Sequence, residues 1–111
     1  MSVQAEDQKL VVLARATRAR TGAGQAAALR DLDGRTYAAA TVDLPHLRIS
    51  AVGAALAMAV ASGAKGLEAV VVLGGAEVGD EDLAAVRDLA GSRIPVHHGD
   101  QRGRLDCSVS T

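Results

Sequence analysis

The first part of the chain carries a helical pattern of hydrophobic positions and then a hairpin pattern. Over residues 7–20, apolar side chains recur at the spacing of an amphipathic helix, with acidic residues near its start and arginines near its end. The segments 25–30 and 35–42 flank residues 31–34, which end in Gly34, a residue that suits a tight turn with positive φ. We therefore expect a first helix followed by two antiparallel strands.

The middle of the chain contains an alanine-rich helix that is apolar around its whole circumference. Residues 51–62 follow Ser50, a preferred N-cap residue, and end before Gly63. Pro45 excludes a central strand just before this helix. A helix without a polar face needs cover on more than one side, and a sheet covers only one. We expect helices of the same chain or of a second subunit on the rest.

The last part of the chain alternates strands with one further helix. Residues 67–73 include a continuous β-branched run, which is typical of a central strand buried on both faces. Carboxylates at 80–82 begin a third helix that ends before Gly91, and 94–98 and 105–109 have the length of two short strands. Strands separated by helices predict a mixed sheet with helices packed on its faces.

Composition narrows the class of protein. The chain has 111 residues and a net charge of −1, which matches one domain spanning 1–111. Near-balanced charge and a single aromatic residue, Tyr37, give no basis for nucleic-acid binding. The longest uncharged stretch, 49–64, is shorter than the ~20 residues that cross a bilayer. We expect a cytoplasmic protein that binds neither membranes nor nucleic acids.

The hairpin and the alanine-rich helix carry a family resemblance. This part of the chain resembles the front half of the small cytidine deaminases, and the order of elements agrees. The resemblance lies in residues 26–29, in Gly34 with its preceding aspartate, in Tyr37 and in residues 41–43. The resemblance implies a three-layer α/β/α sandwich with a mixed, approximately five-stranded sheet. It also implies a homo-oligomer, a dimer or tetramer, assembled around the helix at 51–62. The interface expected on that helix comprises Val52, Ala55, Leu56 and Ala59.

The resemblance further implies a zinc site whose residues this chain lacks. In the family, zinc held by three thiolate or imidazole ligands activates a water molecule, and a glutamate moves its proton. The first ligand corresponds to Val52, the glutamate to Ala54, and the later cysteine motif to residues 78–83, which contain no cysteine. Losing the proton carrier alone typically costs about 10²–10⁴-fold in rate. We expect no metal, no cofactor and no deamination by the family mechanism.

The family's substrate-binding positions are also altered. Its ring-stacking phenylalanine corresponds to Ala23, its ribose-binding asparagine to Thr41 and its second glutamate to Asp43. Thr41 and Asp43 have hydrogen-bonding groups for a hydroxylated ligand, but capping of the loop explains Asp43 equally well. A remnant pocket would comprise Ala23, Thr41, Asp43, Val52 and Ala54.

The histidines and the single cysteine do not form a recognisable alternative site. Adjacent residues of a strand point to opposite faces, so His97 and His98 cannot both join one site, and no metal-ligand spacing joins them to His46 or Cys107. We interpret the pair as solvent-exposed residues at a strand end and Cys107 as a small core residue.

Three functions remain open from the sequence. The first is a non-catalytic structural or protein-interaction role, with self-association through 51–62 and an unidentified protein partner. The second is a nucleoside or nucleotide sensor that uses the remnant pocket. The third is a deaminase-class hydrolase with a relocated metal site. We favour the first, because hydrocarbon side chains occupy the positions at which the family holds its metal and its proton carrier.

Overall fold

The chain folds into three layers, with a five-stranded sheet between helices, in a computed structural model that describes residues 4–111. The helices are α1 (Ala5–Thr21), α2 (Ala51–Ala61) and α3 (Asp80–Ala90). The strands are β1 (Gln25–Asp31), β2 (Thr36–Ala40), β3 (Val42–Leu44), β4 (Leu47–Ile49), β5 (Leu67–Gly74), β6 (Pro95–Gly99) and β7 (Leu105–Ser110). Within residues 4–111, no helix is both long enough and apolar enough to cross a membrane.

The main sheet is mixed and has the strand order β2-β1-β5-β6-β7. β1 pairs antiparallel with β2 and with β5, β5 pairs parallel with β6, and β7 closes the sheet antiparallel to β6. The prediction of a mixed five-stranded sheet with the β-branched run at its centre is confirmed. Because β5 and β6 are parallel, their carboxyl ends lie at the same end of the sheet.

The β1–β2 turn is organised by one buried carboxylate. Asp31, which is 1% exposed, accepts the hydroxyl of Tyr37 at 2.9 Å and the backbone N–H groups of Asp33 and Arg35 at 2.9 and 3.0 Å. Burial raises the pKa of this carboxyl, but the hydrogen bonds, that of Tyr37 foremost, lower it below its ordinary value. Gly34 takes the left-handed conformation that the turn sequence predicts, with φ 84°.

The two faces of the sheet have separate cores. Along β5, Val70 and Val72 face α2 and α3, whereas Val71 and Leu73 face α1. The alanines at positions 26–28 of β1 are fully buried between these layers. Alanine has a low β-propensity, but its small side chain lets the helices lie close to the strand.

A network of charged and polar side chains fixes α1 on its face of the sheet. Asp7, which is 6% exposed, accepts a hydrogen bond from Arg30 at 2.9 Å, and its other oxygen lies 3.1 Å from Nε2 of His97. Arg30 also binds Glu68 at 2.7 Å, and Nδ1 of His97 lies 2.5 Å from Oγ of Ser108. Burial lowers the pKa of the Arg30 guanidinium, but the hydrogen bonds to its two carboxylates raise it above its ordinary value.

A short hairpin of β3 and β4 lies outside the main sheet. The sequence pattern extends the second strand to residue 42, but β2 ends at Ala40 and Val42 begins the new hairpin, with Pro45 in its turn. Proline is thus kept out of the central sheet, as predicted. The hairpin itself was not predicted, because most of its side chains are exposed and leave no alternation of buried and polar positions.

The environment of the residues near the end of the chain differs from the sequence prediction. His97 and His98 are each only 8% exposed, because β7 pairs alongside β6 and makes it an internal strand. The interpretation as solvent-exposed strand-end histidines is therefore wrong. Cys107 is half-buried rather than in the core, and Val109 is 42% exposed, because β7 is the last strand of the sheet.

Candidate functional site

The N-termini of α2 and α3 are joined by a hydrogen bond. The hydroxyl of Ser50 donates to Asp82 at 2.7 Å and accepts the N–H of Gly53 at 3.0 Å, which makes Ser50 the predicted N-cap of α2. Val52, two positions after Ser50, is 1% exposed within the core, and Ala54, two positions further on, is half-buried. The position at which the resemblance implies a metal ligand is therefore filled by buried hydrocarbon.

The residues of this junction do not fit a zinc ion. Zinc takes thiolate, imidazole or carboxylate ligands, usually with sulfur or nitrogen among them. The segment 78–83 supplies only carboxylates, and that of Asp82 already accepts the Ser50 hydroxyl. Within residues 4–111, no three His, Cys, Asp or Glu side chains are grouped so that they could hold a metal ion. The donor set that the family's zinc requires is missing from this junction.

Two of the remaining residues of the predicted remnant pocket, Asp43 and Thr41, have partners on neighbouring strands. Asp43 lies opposite Arg48 in the β3–β4 hairpin and forms an ion pair with it at 3.3 Å, with its side chain 79% exposed. Thr41 is exposed and donates to the carbonyl of Gln25 at 3.3 Å. Ala23 is half-buried in the turn after α1. None of these three, nor Val52 or Ala54, lines the two cavities described below.

One side of α2 faces the sheet of its own chain. This side contains all four residues that the sequence places in an interface with a second copy, Val52, Ala55, Leu56 and Ala59, and none of them is more than 8% exposed. The sheet and α3 cover them, which corrects the prediction of which residues face outward. The exposed large hydrophobic side chains of α2 are Met58 and Val60, at 45% and 53%.

A cavity of about 470 Å³ opens at the carboxyl ends of β5 and β6. In open α/β sheets, ligands commonly bind outside the carboxyl ends of the strands, because helices and loops there leave a crevice. The polar side chains of the wall come from the end of β6, the following loop and β7. They include His98, Arg102, Arg104 and Asp106.

Asp100 fixes the shape of the loop that brings both arginines to this cavity. One oxygen of its carboxylate accepts the N–H groups of Arg102 and Arg104 at 2.9 and 3.0 Å. The hydrogen bond from Arg104 is the main reason that the pKa of Asp100 lies below its ordinary value. The carboxylate therefore stays ionised at neutral pH and holds the loop.

His98 is the most buried side chain in the wall that can change its charge, at 8% exposed. Its Nε2 lies 3.1 Å from the carbonyl of Gly74, which can only accept, so Nε2 carries a proton. Its Nδ1 is buried and has no hydrogen-bond partner within residues 4–111, although Asp106 lies 3.5 Å away. Nδ1 is therefore closed off from solvent, and the charged group nearest to it is a carboxylate.

This cavity was not predicted from the sequence. Its side chains follow no motif spacing, and His98 was interpreted as a solvent residue. The only signal in the sequence is positional, because the charged residues at 100–106 directly follow a predicted strand.

Asp7, His97 and Ser108 are aligned in the order found in serine hydrolases. Ser108 lines neither of the two cavities described here, and Asp7 is also paired with Arg30. We therefore interpret the alignment as part of the network that fixes α1 on the sheet.

Comparisons with known proteins place the chain among related folds. A family model described as Cytidine deaminase-like matches residues 3–103. The structure is similar to cytidine deaminase from Burkholderia pseudomallei, with a TM-score of 0.79 and 21% identity over 93% of this chain and 91% of that one. It is also similar to cytidine deaminase from Mycobacterium leprae, with a TM-score of 0.72 and 18% identity over 84% of this chain and 87% of that one. No curated protein matches the sequence significantly.

Proposed function

The chain belongs to the cytidine deaminase-like family, and from that premise we propose that it is a non-catalytic member with a structural or protein-interaction role. The observation that carries the proposal is the junction of α2 and α3. There Val52 and Ala54 stand where the family resemblance implies a zinc ligand and a proton-carrying glutamate. Neither side chain has an atom that binds zinc or carries a proton.

The hydrogen bond between Ser50 and Asp82 supports a structural role for the junction. The resemblance implies that a shared metal joins the starts of these two helices in catalytic members. Here a neutral hydroxyl and a carboxylate join them at 2.7 Å. A charge-assisted hydrogen bond of this kind links the helices without a metal and without a water-activating centre.

Self-association through α2 is the second part of the proposal. The helix has no charged residue, and Met58 and Val60 expose hydrophobic surface on it. Beside them, a groove of about 370 Å³ between α2 and α3 is lined mainly by apolar side chains, including Val60 and Leu89. Exposed apolar surface of this kind is typical of protein contact sites.

The catalytic part is tested by incubating the purified protein with cytidine and added zinc, and measuring uridine and ammonia. The matched positive control is cytidine deaminase from Burkholderia pseudomallei, handled in the same way. We expect no conversion above the protein-free rate. Conversion that stops on chelation and is lost in Asp82→Ala would contradict the proposal, because it would locate a working metal site at the junction.

The association part is tested by light scattering at micromolar concentration. We expect a species larger than one chain and a shift toward the monomer in a Met58→Glu, Val60→Glu double variant. Val12→Glu is the control, because Val12 is 67% exposed on α1 at the opposite face of the sheet. A strictly monomeric wild type, or equal effects of both variants, would refute association through α2.

A further inference from the structure

We propose that the groove between α2 and α3 binds the tip of the β3–β4 hairpin of a second copy of this chain, with Leu44 and Leu47 of that copy in the groove. This inference rests on the proposed self-association, and it names the segment that the partner contributes. The hairpin tip and the groove are both apolar, and both are exposed in the single chain.

The tip of the hairpin presents two leucines on one face. Leu44 lies opposite Leu47 across the turn, so both side chains project to the same side. The pair at the base of that face, Val42 and Ile49, is half-buried, but Leu44 and Leu47 are 56% and 49% exposed. Each strand has only three residues, which is too short for this alternation to be recognised in the sequence. Two adjacent exposed leucines form a small apolar patch, which is typical of a contact site.

The groove offers matching apolar surface. Within the described part of the chain, four apolar residues and one carboxylate line it: Leu56, Val60, Ala85, Leu89 and Asp88. Two leucine side chains that enter this groove remove apolar surface of both chains from water, and such burial is the main driving force of most protein association.

The hairpin and the groove lie at opposite ends of α2. β4 ends at Ile49, directly before the N-cap Ser50, whereas Val60 lies in the last turn of the helix. At 1.5 Å per residue, Ser50 and Val60 are about 15 Å apart along the helix. Within residues 4–111, no residue of the hairpin lines the groove of its own chain. Two chains whose α2 helices lie antiparallel about a two-fold axis bring each hairpin to the groove of the other chain, so the contact forms twice.

The charges beside the two surfaces are complementary. Arg48 directly follows Leu47, and its side chain is 77% exposed in an ion pair with Asp43 that water screens. Asp88 is exposed at the groove and forms no ion pair within residues 4–111. A hairpin seated in the groove brings a guanidinium toward this carboxylate, which favours one orientation of the contact.

The first test is sedimentation of the full chain over a series of concentrations. We expect the double variant Leu44→Ser, Leu47→Ser to raise the dissociation constant of the dimer at least about 10-fold, because both side chains lose their apolar contact with the partner. The matched control is Leu32→Ser. Leu32 is 59% exposed in the β1–β2 turn and does not line the groove, so we expect the wild-type constant. Equal effects of the two leucine variants would overturn the proposal.

The second test mixes two variants that each lack one side of the contact. The hairpin variant keeps its groove, and Val60→Glu keeps its hairpin but places a charge in the groove. Each variant alone loses both copies of the contact, whereas a mixed dimer keeps one. We therefore expect the mixture to associate about 10-fold more tightly than either variant alone. A mixture that associates no more tightly would overturn the proposal.

The outcomes separate this inference from the proposed function. A monomeric wild type would refute self-association and the hairpin contact together. The other case is a wild type that associates and is dissociated by the Met58→Glu, Val60→Glu variant but not by the hairpin variant. Self-association through α2 would then stand, and the hairpin contact would be overturned.

Discussion

The two faces of the sheet hold their helices by different physical means. On one face, α1 is fixed by the buried Asp7, which contacts both Arg30 and His97. On the other face, α2 packs through alanines such as Ala55 and Ala59, which are fully buried, and its polar link to α3 is the Ser50–Asp82 hydrogen bond. The first contact is directional and charged, and the second depends on close approach of small side chains.

This difference bears on function as well as stability. In the family resemblance, the chemistry lies at the α2 face, yet this face carries hydrocarbon at Val52 and Ala54. Within residues 4–111, the buried ionisable groups lie instead under α1, at the end of β6, where His97 and His98 face different neighbours, and in the β1–β2 turn, where Asp31 is buried. On the α2 face, the buried residues are therefore mainly hydrocarbon side chains that pack against the sheet.

The largest expected effect comes from breaking the charged contact under α1. Asp7→Ala leaves Arg30 and His97 buried without their shared partner, so we expect a loss of about 3–5 kcal/mol in the free energy of unfolding. Urea denaturation measures it. Glu6→Ala is the control, because Glu6 is exposed on the same helix. A loss below about 1 kcal/mol would mean that the network does not fix α1.

The next effect comes from enlarging a side chain in the alanine-packed layer. Ala55 is fully buried against the sheet, so Ala55→Leu overpacks the layer and should cost about 1–3 kcal/mol of unfolding free energy. Ala57→Leu tests the same change at an exposed position of α2 and should be nearly neutral. If both variants unfold at the same urea concentration, α2 does not pack as closely as its alanines indicate.

A smaller effect is expected at the polar link of the α2 face. Ser50→Ala removes the N-cap of α2 and the hydrogen bond to Asp82, and should cost about 1 kcal/mol. Thermal unfolding measures the loss, and Ser62→Ala, at the exposed end of the same helix, is the control. A loss of unfolding free energy as large as that in Asp7→Ala would mean that polar contacts stabilise both faces of the sheet equally.

A carboxylate outside both layers provides a pH test. The pKa of Asp31 is lower in the folded chain than in the unfolded chain, so its contribution to stability is present above the ordinary carboxyl pKa and is lost as the pH falls through the folded value. We expect Asp31→Asn to flatten the acid limb of the stability curve, measured by urea denaturation at several pH values. Ala55→Leu should keep the wild-type slope. An unchanged slope in Asp31→Asn would mean that Asp31 does not contribute to the acid limb of the stability curve.

Most of the fold could be predicted from local sequence, since each element carries its own boundaries. Ser50 is the N-cap of α2, and Gly34 lies in the β1–β2 turn. The apolar run within Leu67–Gly74 forms the central strand. The short hairpin at β3 and β4 could not be predicted, because it is exposed on both sides and has no hydrophobic period.

The environment of the histidines could not be predicted, because it depends on contacts distant in sequence. His97 is buried by Asp7, 90 positions earlier in the chain, and by Ser108 on the neighbouring strand. His98 meets Gly74 only because β5 and β6 pair in parallel. Such contacts leave no local pattern, so the cavity beside His98 emerges only from the assembled sheet.

The smallest expected effect separates buried charge from exposed charge on the same helix. Lys9 and Glu6 form an ion pair at 3.2 Å one turn along α1, with side chains 72% and 60% exposed. Because water screens such a pair, Lys9→Ala should change the unfolding free energy by less than about 0.5 kcal/mol, as measured by urea denaturation. Its matched comparison is Asp7→Ala, which removes a charge from the buried side of that helix. If the two variants lose similar unfolding free energy, burial does not make the contacts of Asp7 more stabilising than an exposed ion pair. The contrast between the two faces of the sheet would then depend on the alanine packing alone.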